Sequence, residues 1–264
     1  MASEIKSQGV EVPAEIPAWQ KTVPTIHHLE HSQSLRVVWA LQELHNAKGL
    51  KFHIKNYPRV QPKNLDLAKV SPMGKAPILT VETLDGKPLP DLQIRDGVIM
   101  ESKLILNWIS QSYGGELWEQ EDDTDKRRNM YFQEFASASL SERVLFAMIF
   151  EIIAQVMPFP LRQILGLLLN PLAKVLKGHL PDYFDFMEGE LSDERPWFAG
   201  TKMGVADFCM EYIMTIAIDR RYLDEETYPK IKKWHDAIRA RPAYQEAIKK
   251  GGGPKHYDMI KFGK

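Results

Sequence analysis

Two serines separated by one residue lie where a strand pattern ends and a helix pattern begins. His31, Ser32, Gln33 and Ser34 form a polar turn, and helical spacing of apolar residues starts at Leu35. A serine before a helix can cap it by accepting a bond from a backbone N–H. Its hydroxyl can also donate to an anion, whose charge the helix N-terminus favours. The pattern therefore indicates either a helix cap or a site that stabilises an anion.

Three histidines near this turn raise the question of a metal site. His27 and His28 are neighbours in a predicted strand, so their side chains point to opposite faces, and only His31 lies beside the serines. A zinc site needs three or four convergent ligands, and no carboxylate and histidine set has that spacing here. We therefore predict no metal. The single cysteine, Cys209, lies in an apolar helical pattern and is predicted to be a buried core thiol.

The composition is that of a soluble globular protein. The 264 residues are 44% hydrophobic and 26% charged, and 34 Lys and Arg against 35 Asp and Glu leave a net charge of −1. These values exclude a mostly disordered chain and give no reason to expect a nucleic-acid partner. One cysteine excludes an internal disulfide and a Cys-x-x-Cys redox pair. Because the N-terminal residues also lack a signal-peptide pattern, we expect a cytoplasmic protein.

The elements around the serines alternate between strand and helix. The spacing predicts helices at residues 35–48, 64–70 and 98–113, and strands at residues 25–30, 51–57, 76–83 and 92–97. Gly49 lies where a helix C-cap glycine belongs, and Asp85-Gly86 is a turn dipeptide between the last two strands. This order predicts an α/β unit of roughly 90 residues.

After Gly115 the pattern is helical. We predict helices at residues 125–156, 161–177, 181–194, 205–221 and 228–239. Residues 144–173 carry only two charges, but prolines interrupt them, and a membrane span needs about 20 uninterrupted apolar residues. We interpret them as two core helices joined by a proline turn. The alternative is a surface hairpin that contacts a membrane or a partner subunit.

Three segments resemble motifs of the glutathione transferase superfamily. Residues 74–79 (GKAPIL) resemble its entry into the third strand, and residues 100–109 (MESKLILNWI) its Glu-Ser motif followed by an apolar helix. Residues 198–208 (FAGTKMGVADF) resemble its helix start in the helical domain. The segments HHLEHSQSLRVVW, MPFP and FDFMEGELS are similar to a serine-type fungal and bacterial branch. The resemblance extends over residues 23–250.

The resemblance implies an α/β plus all-α protein with the glutathione transferase fold. It places a thioredoxin-like glutathione-binding domain at residues 23–113 and an all-helical C-terminal domain at residues 122–250. Residues 1–22 are then an N-terminal arm and residues 251–264 a tail.

The resemblance also implies which residue activates glutathione. Free thiols have a pKa of about 8.5, so an enzyme that uses glutathione must stabilise its thiolate. In serine-type members an arginine follows the catalytic serine by four positions, so Arg36 selects Ser32, with Ser34 as the alternative. The turn contains no tyrosine or cysteine, which argues against the tyrosine-type and cysteine-type branches.

Five further residues are implied to bind glutathione. Pro77 is the expected cis-proline, and Ala76 before it would pair through its backbone with the cysteinyl part of glutathione. Lys75 is placed to reach a glutathione carboxylate. Ser102, at a helix N-terminus, suits the γ-glutamyl carboxylate, and Glu101 suits its ammonium group.

We make two further predictions for the helical domain. Tyr131 and Phe135, at i and i+4, are candidate walls of an electrophile pocket, or else core or subunit contacts. Asp207 is the expected buried capping aspartate. Many relatives have Ser or Thr where this chain has Gly204, so we expect a weaker cap but an intact helix.

The implied activity is conjugation of glutathione to hydrophobic electrophiles in detoxification, with glutathione peroxidase activity on the same site. Glutathione is then the co-substrate, no metal is required, and the protein is a homodimer. The alternative is a non-catalytic binding or regulatory module, because fold alone does not give function.

Overall fold

A four-stranded mixed sheet forms the centre of the first part of the chain. The computed structural model describes residues 15–59 and 63–251; most of the predicted arm, and the predicted tail after Gly251, lie outside these residues. The sheet has the order β2-β1-β3-β4, with β1 parallel to β2 and β3 antiparallel to both β1 and β4. Its strands are β1 (Thr22–Leu29), β2 (His53–Tyr57), β3 (Ile78–Thr83) and β4 (Val98–Met100).

Ten α-helices occur in the described residues. The first three accompany the sheet: α1 (Leu35–Lys48), α2 (Leu65–Val70) and α3 (Ser102–Ile109). The others are α4 (Asp123–Glu134), α5 (Ser141–Val156), α6 (Leu161–Gly178), α7 (Leu180–Glu190), α8 (Val205–Asp219), α9 (Pro229–Arg239) and α10 (Pro242–Lys250). A π-helical stretch, Phe135–Leu140, joins α4 to α5.

The described residues divide into two compact units. The first holds the sheet, helices α1 to α3 and, from residue 241 onward, helix α10; the second holds residues 116–240 and is helical. Helix α10, which the sequence did not predict, packs on α1. Arg241 donates from Nη2 to Glu43 Oε2 across 2.8 Å, and the rings of Trp39 and Tyr244 meet edge to face.

The prediction for the residues that precede α3 is wrong. Residues 92–97 form bends, an isolated bridge at Arg95 and a turn instead of the predicted strand. The strand is Val98–Met100, where we predicted the start of a helix. Three consecutive apolar residues fit either pattern. The backbone of Glu101, at φ 68°, separates strand from helix, so that α3 begins only at Ser102.

The prediction of two core helices at residues 144–173 is wrong for α6. In α6 only Ala173 is buried, and the side chains of Leu167 and Leu168 are 79% and 61% exposed. Helix α6 packs against α5 and contains Pro171. No helix in the described part of the chain is both long enough and apolar enough to span a membrane.

The start of helix α8 confirms the expected capping aspartate. Asp207 is fully buried, and its carboxylate accepts bonds from the backbone N–H of Gly204 at 2.9 Å and of Phe198 at 2.9 Å. Its Oδ1 also accepts from Trp234 Nε1 at 2.8 Å. With glycine at the N-cap the helix is intact, and Cys209 is buried as predicted.

Two buried histidines make the stability of the fold depend on pH. Burial is the main reason why the pKa of His27 and the pKa of His235 fall from 6.5 to about 4. His27 bonds to the Tyr57 hydroxyl at 2.8 Å, and His235 to Thr215 Oγ1 at 3.0 Å. Both rings are therefore neutral in the folded protein near neutral pH.

We expect the free energy of unfolding to fall as the pH is lowered from about 6.5 to about 4. In that window the unfolded histidines bind protons that the folded ones do not, which removes roughly 1.4 kcal/mol per pH unit for each. Asp207 opposes this, because burial raises its pKa from 3.8 to about 6. Urea unfolding should show a shallower pH slope in His235→Gln and an unchanged slope in the exposed control His179→Gln. If the free energy of unfolding of the wild type did not change between neutral pH and about pH 5, the lowered pKa values of His27 and His235 would be contradicted.

Candidate functional site

Three predicted site segments meet at one end of the sheet. The register pairs His27 of β1 with Ile78, the first residue of β3, and pairs Ile78 with Met100, the last residue of β4. The turn at residues 31–34 follows β1, the Ala76–Pro77 bond precedes β3, and Glu101 and Ser102 follow β4. The Ala76–Pro77 peptide bond is cis, as predicted. The topology therefore brings segments that are far apart in sequence to one edge.

A buried arginine ties two of these segments together. Arg36, in the first turn of α1, is 6% exposed, and its Nη2 donates to both Ser102 Oγ and Gln33 Oε1. Ser102 Oγ in turn donates to Gln33 Oε1 across 3.4 Å. A buried guanidinium needs such partners, and here they fix the turn at residues 31–34 against the start of α3. Sequence reasoning used Arg36 only to select Ser32 and missed this role.

The start of α3 is a strained backbone position. Glu101 has φ 68° and ψ 113°, a conformation that side-chain-bearing residues rarely adopt and that costs about 1–3 kcal/mol. Such strain clusters at ligand-binding sites. The Glu101 side chain is exposed, while Ser102 is buried as the first residue of the helix. The first turn of α3 thus offers backbone N–H groups and a hydroxyl to an anion.

The hydroxyl of Ser32 lies in a dense hydrogen-bond arrangement. Ser32 is 6% exposed; its Oγ donates to Leu29 O at 2.8 Å, accepts from Ser34 N at 3.2 Å and lies 2.6 Å from Ser34 Oγ. Ser34 occupies the N-cap position of α1 but makes no side-chain cap bond. The helix-cap interpretation is therefore wrong for Ser34, whereas Ser32 Oγ does accept a backbone N–H directly before α1.

Arg59, two residues after β2, holds the turn at residues 31–34 in place. His31 has φ 54°, and its carbonyl accepts from Arg59 Nη2 at 2.8 Å, while Arg59 Nε donates to Glu30 O at 3.2 Å. On the opposite segment Lys75 is exposed. In the parts of the chain that the structure describes, no three His, Cys, Asp or Glu side chains form a group that could hold a metal ion.

Tyr131 and Phe135 lie in the helical unit within an aromatic cluster. Their rings stack with centroids 6.0 Å apart, and both contact Phe186. Phe135 is buried, whereas Tyr131 is half exposed. Phe135 therefore belongs to the core of this unit, and about half of the Tyr131 side chain is exposed.

The sheet order, the cis-proline before β3 and the helical second unit define a thioredoxin-like domain followed by an all-helical domain. Residues 26–117 match the family model of the glutathione S-transferase N-terminal domain, and residues 169–242 match that of the C-terminal domain. Together the two models cover most of the chain. This protein belongs to the glutathione S-transferase family.

Individual relatives match over nearly their whole length. Glutathione S-transferase 1 of Saccharomyces cerevisiae is 25% identical over 231 residues, which cover 85% of this chain and 94% of that protein. Glutathione S-transferase 3 of Schizosaccharomyces pombe is 28% identical over 229 residues, covering 85% and 86%. The structure of a sphingomonad glutathione S-transferase complexed with glutathione superposes with a TM-score of 0.60 at 20% identity, covering 86% of this chain and 98% of that one.

Proposed function

We propose that this protein is a glutathione transferase that attaches glutathione to hydrophobic electrophiles, with Ser32 stabilising the thiolate. The observation that carries the proposal is the convergence of Ser32, the Ala76–Pro77 segment and Ser102 at one end of the sheet. The two yeast relatives named as glutathione S-transferases support the same activity. The reaction joins the thiolate sulfur to an electrophilic carbon, and a leaving group departs or an activated double bond takes up a proton.

The proposed binding mode places glutathione along this end of the sheet. The γ-glutamyl carboxylate accepts from Ser102 and from the first turn of α3, where the buried charge of Arg36 adds attraction. Glu101 faces its ammonium group. The cysteinyl backbone pairs with Ala76 beside Pro77, and Lys75 binds the remaining carboxylate.

Binding of glutathione should depend on Ser102 far more than on an ordinary surface serine. Ser102→Ala removes the proposed hydrogen bond to the γ-glutamyl carboxylate, which should raise the dissociation constant of glutathione by about 10- to 100-fold. Ser137, exposed on the helical unit, provides the matched control: Ser137→Ala should bind like the wild type. Calorimetric titration with reduced glutathione measures both. Equal affinities of the two variants would place the γ-glutamyl group elsewhere.

Tyr131 and Phe135 are proposed to line the electrophile pocket. The half-exposed ring of Tyr131 offers the contact surface, and Phe135 supports it from behind by stacking. Glutathione peroxidase activity on hydrophobic hydroperoxides is proposed as a second reaction of the same thiolate. We place this detoxifying activity in the cytoplasm.

The protein is proposed to be a homodimer. Helices α5 and α6 each expose an apolar stripe, Phe146, Ile149 and Ile153 on one and Ile164, Leu168 and Leu172 on the other. Monomers rarely expose large continuous apolar patches, and burial against a second copy removes this one from water. Sedimentation should give twice the chain mass of 30.4 kDa, and Leu168→Lys should shift the equilibrium to the monomer. A monomeric wild type that floats with lipid vesicles would show that a membrane covers this surface instead.

A further inference from the structure

The loop between β3 and β4 places one side chain on the outer edge of the sheet. β4 is the last strand in the sheet order, and among the described residues no strand pairs with its outer edge. Gln93, in the loop of residues 84–97, occupies this edge. Its Oε1 accepts from the backbone N–H of Met100 at 2.9 Å, and its Nε2 donates to the carbonyl oxygen of Met100 at 3.5 Å. The side-chain amide therefore exchanges two bonds with Met100, as a residue of a neighbouring strand would.

The base of this loop is bonded to β3. Leu89 N donates to Val81 O at 3.0 Å, Val81 N donates to Gly97 O at 2.8 Å, and Gly97 N donates to Leu89 O at 2.6 Å. Gly97 has φ 66°, and a Cβ at this position would lie 2.8 Å from the Cβ of Pro88. Glycine meets both demands because it has no Cβ. The two ends of the segment 89–97 are thus held together beside the strand that precedes the loop.

The tip of the loop is closed by a second contact around Gln93. Asp91 has φ 50°, a left-handed conformation that aspartate adopts more readily than most residues. Its backbone N–H donates to Asp96 Oδ1 at 3.0 Å. Gln93 lies between these two residues, and its side chain is exposed to solvent. Because the backbone that carries Gln93 is held on both sides, less conformational entropy is lost when the amide bonds to Met100.

Met100 directly precedes the strained residue Glu101. Two peptide groups set the conformation of Glu101, one shared with Met100 and the other with Ser102. The carbonyl of the first accepts from Gln93, and the carbonyl of the second accepts from Ile105 N at 2.9 Å, at the start of α3. Since residues with a side chain prefer negative φ, these bonds hold Glu101 at φ 68° against relaxation.

The conformation of Glu101 determines where the first turn of α3 points. The hydroxyl of Ser102 and the backbone N–H groups of that turn are the proposed partners of the γ-glutamyl carboxylate. Arg36 donates to the Ser102 hydroxyl, and Gln93 bonds to the backbone two residues before it. One contact therefore holds the side chain of the proposed ligand-binding serine, and the other holds the main chain that carries it.

We propose that Gln93 is a positioning residue for the γ-glutamyl group of glutathione. It acts through Met100 and Glu101 and does not itself contact the ligand, because its amide is engaged by Met100. The inference rests on the proposed function, since it requires the γ-glutamyl group at the start of α3. Ser32 belongs to a different segment, so Gln93 should affect the binding of glutathione and leave the chemical step unchanged.

The variant Gln93→Met tests this role, because methionine keeps the length of the side chain and removes its amide. Calorimetric titration should show a dissociation constant for reduced glutathione that is raised by about 3- to 10-fold. The kcat for conjugation at saturating glutathione should not change. Cysteinylglycine lacks the γ-glutamyl group, so its inhibition constant should be the same in the variant and the wild type. The exposed control Gln111→Met should match the wild type in all three measurements.

The conservative variant Gln93→Glu keeps an oxygen that can accept from Met100 N–H. Measured at high ionic strength, which screens the added charge, it should bind glutathione more tightly than Gln93→Met. An unchanged dissociation constant in Gln93→Met would overturn the inference and leave the proposed function intact. A lower kcat, or an equal loss of affinity for glutathione and cysteinylglycine, would indicate general distortion of the site and overturn it as well. A wild type that does not bind glutathione would contradict the proposed function itself.

Discussion

Replacement of Ser32 by alanine should lower kcat/KM for conjugation by about 100- to 1000-fold, the usual effect of removing one donor to a developing anion. The hydroxyl lies at the edge of the sheet where the three proposed binding segments meet. Glutathione should still bind, because Ser102 and Ala76 are unchanged. The measurement is steady-state conjugation to a nitro-activated aryl halide, with glutathione affinity measured separately.

The neighbouring serine, Ser34, is the alternative donor to the thiolate, and its variant separates the two assignments. Ser34 also has a hydroxyl in the turn, but it is completely buried and bonded to His28. If Ser32→Ala kept full turnover and Ser34→Ala abolished it, Ser34 would be the thiolate donor and the assignment of Ser32 would be wrong. Circular dichroism of both variants shows whether the fold is retained.

Replacement of Asp207 by asparagine should destabilise the helical unit by about 2–5 kcal/mol. Each carboxylate oxygen accepts backbone or indole N–H donors: Phe198 and Trp234 on Oδ1, Gly204 and Ala199 on Oδ2. An asparagine NH₂ in place of either oxygen faces two donors and leaves them unsatisfied in the interior. Buried donors without partners each cost about 1–3 kcal/mol.

Urea unfolding at neutral pH measures this loss, because Asp207 is ionised above its pKa of about 6. The matched control is Asp193→Asn, which removes an exposed carboxylate paired with Lys233 and should leave the free energy of unfolding nearly unchanged. If the two substitutions had equal effects, the carboxylate of Asp207 would not be the organising group of this helix start.

The order of elements could be predicted because it depends on local periodicity. The pattern at residues 35–48 gave the bounds of α1, and Gly49 ends it in the left-handed conformation as expected. Periodicity placed the start of α3 at residue 98, whereas the resemblance placed Ser102 at a helix N-terminus, where the structure has it. Periodicity failed here because the strained backbone of Glu101 is imposed by its surroundings. Helix α10 was missed because it is only nine residues long and two of its three buried residues are alanines.

The candidate site was only partly predictable, because much of it is spatial rather than sequential. Ser32 and Ser102 follow from motifs, but the bond that joins Arg36 to Ser102 spans 66 residues. The contact between His28 and Gly251 spans 223 residues, and no spacing rule connects them. The sequence predicts which segments carry chemistry, while the sheet register and α10 determine which of their atoms meet.

The most direct test of the central claim is an ultraviolet difference titration of the wild type and Ser32→Ala with reduced glutathione at slightly acidic pH. At that pH free glutathione is a thiol, so thiolate absorbance reports activation by the protein. We predict a saturable thiolate signal in the wild type and its loss in Ser32→Ala. A full signal in the variant, or none in a wild type that binds glutathione, would contradict the role of Ser32.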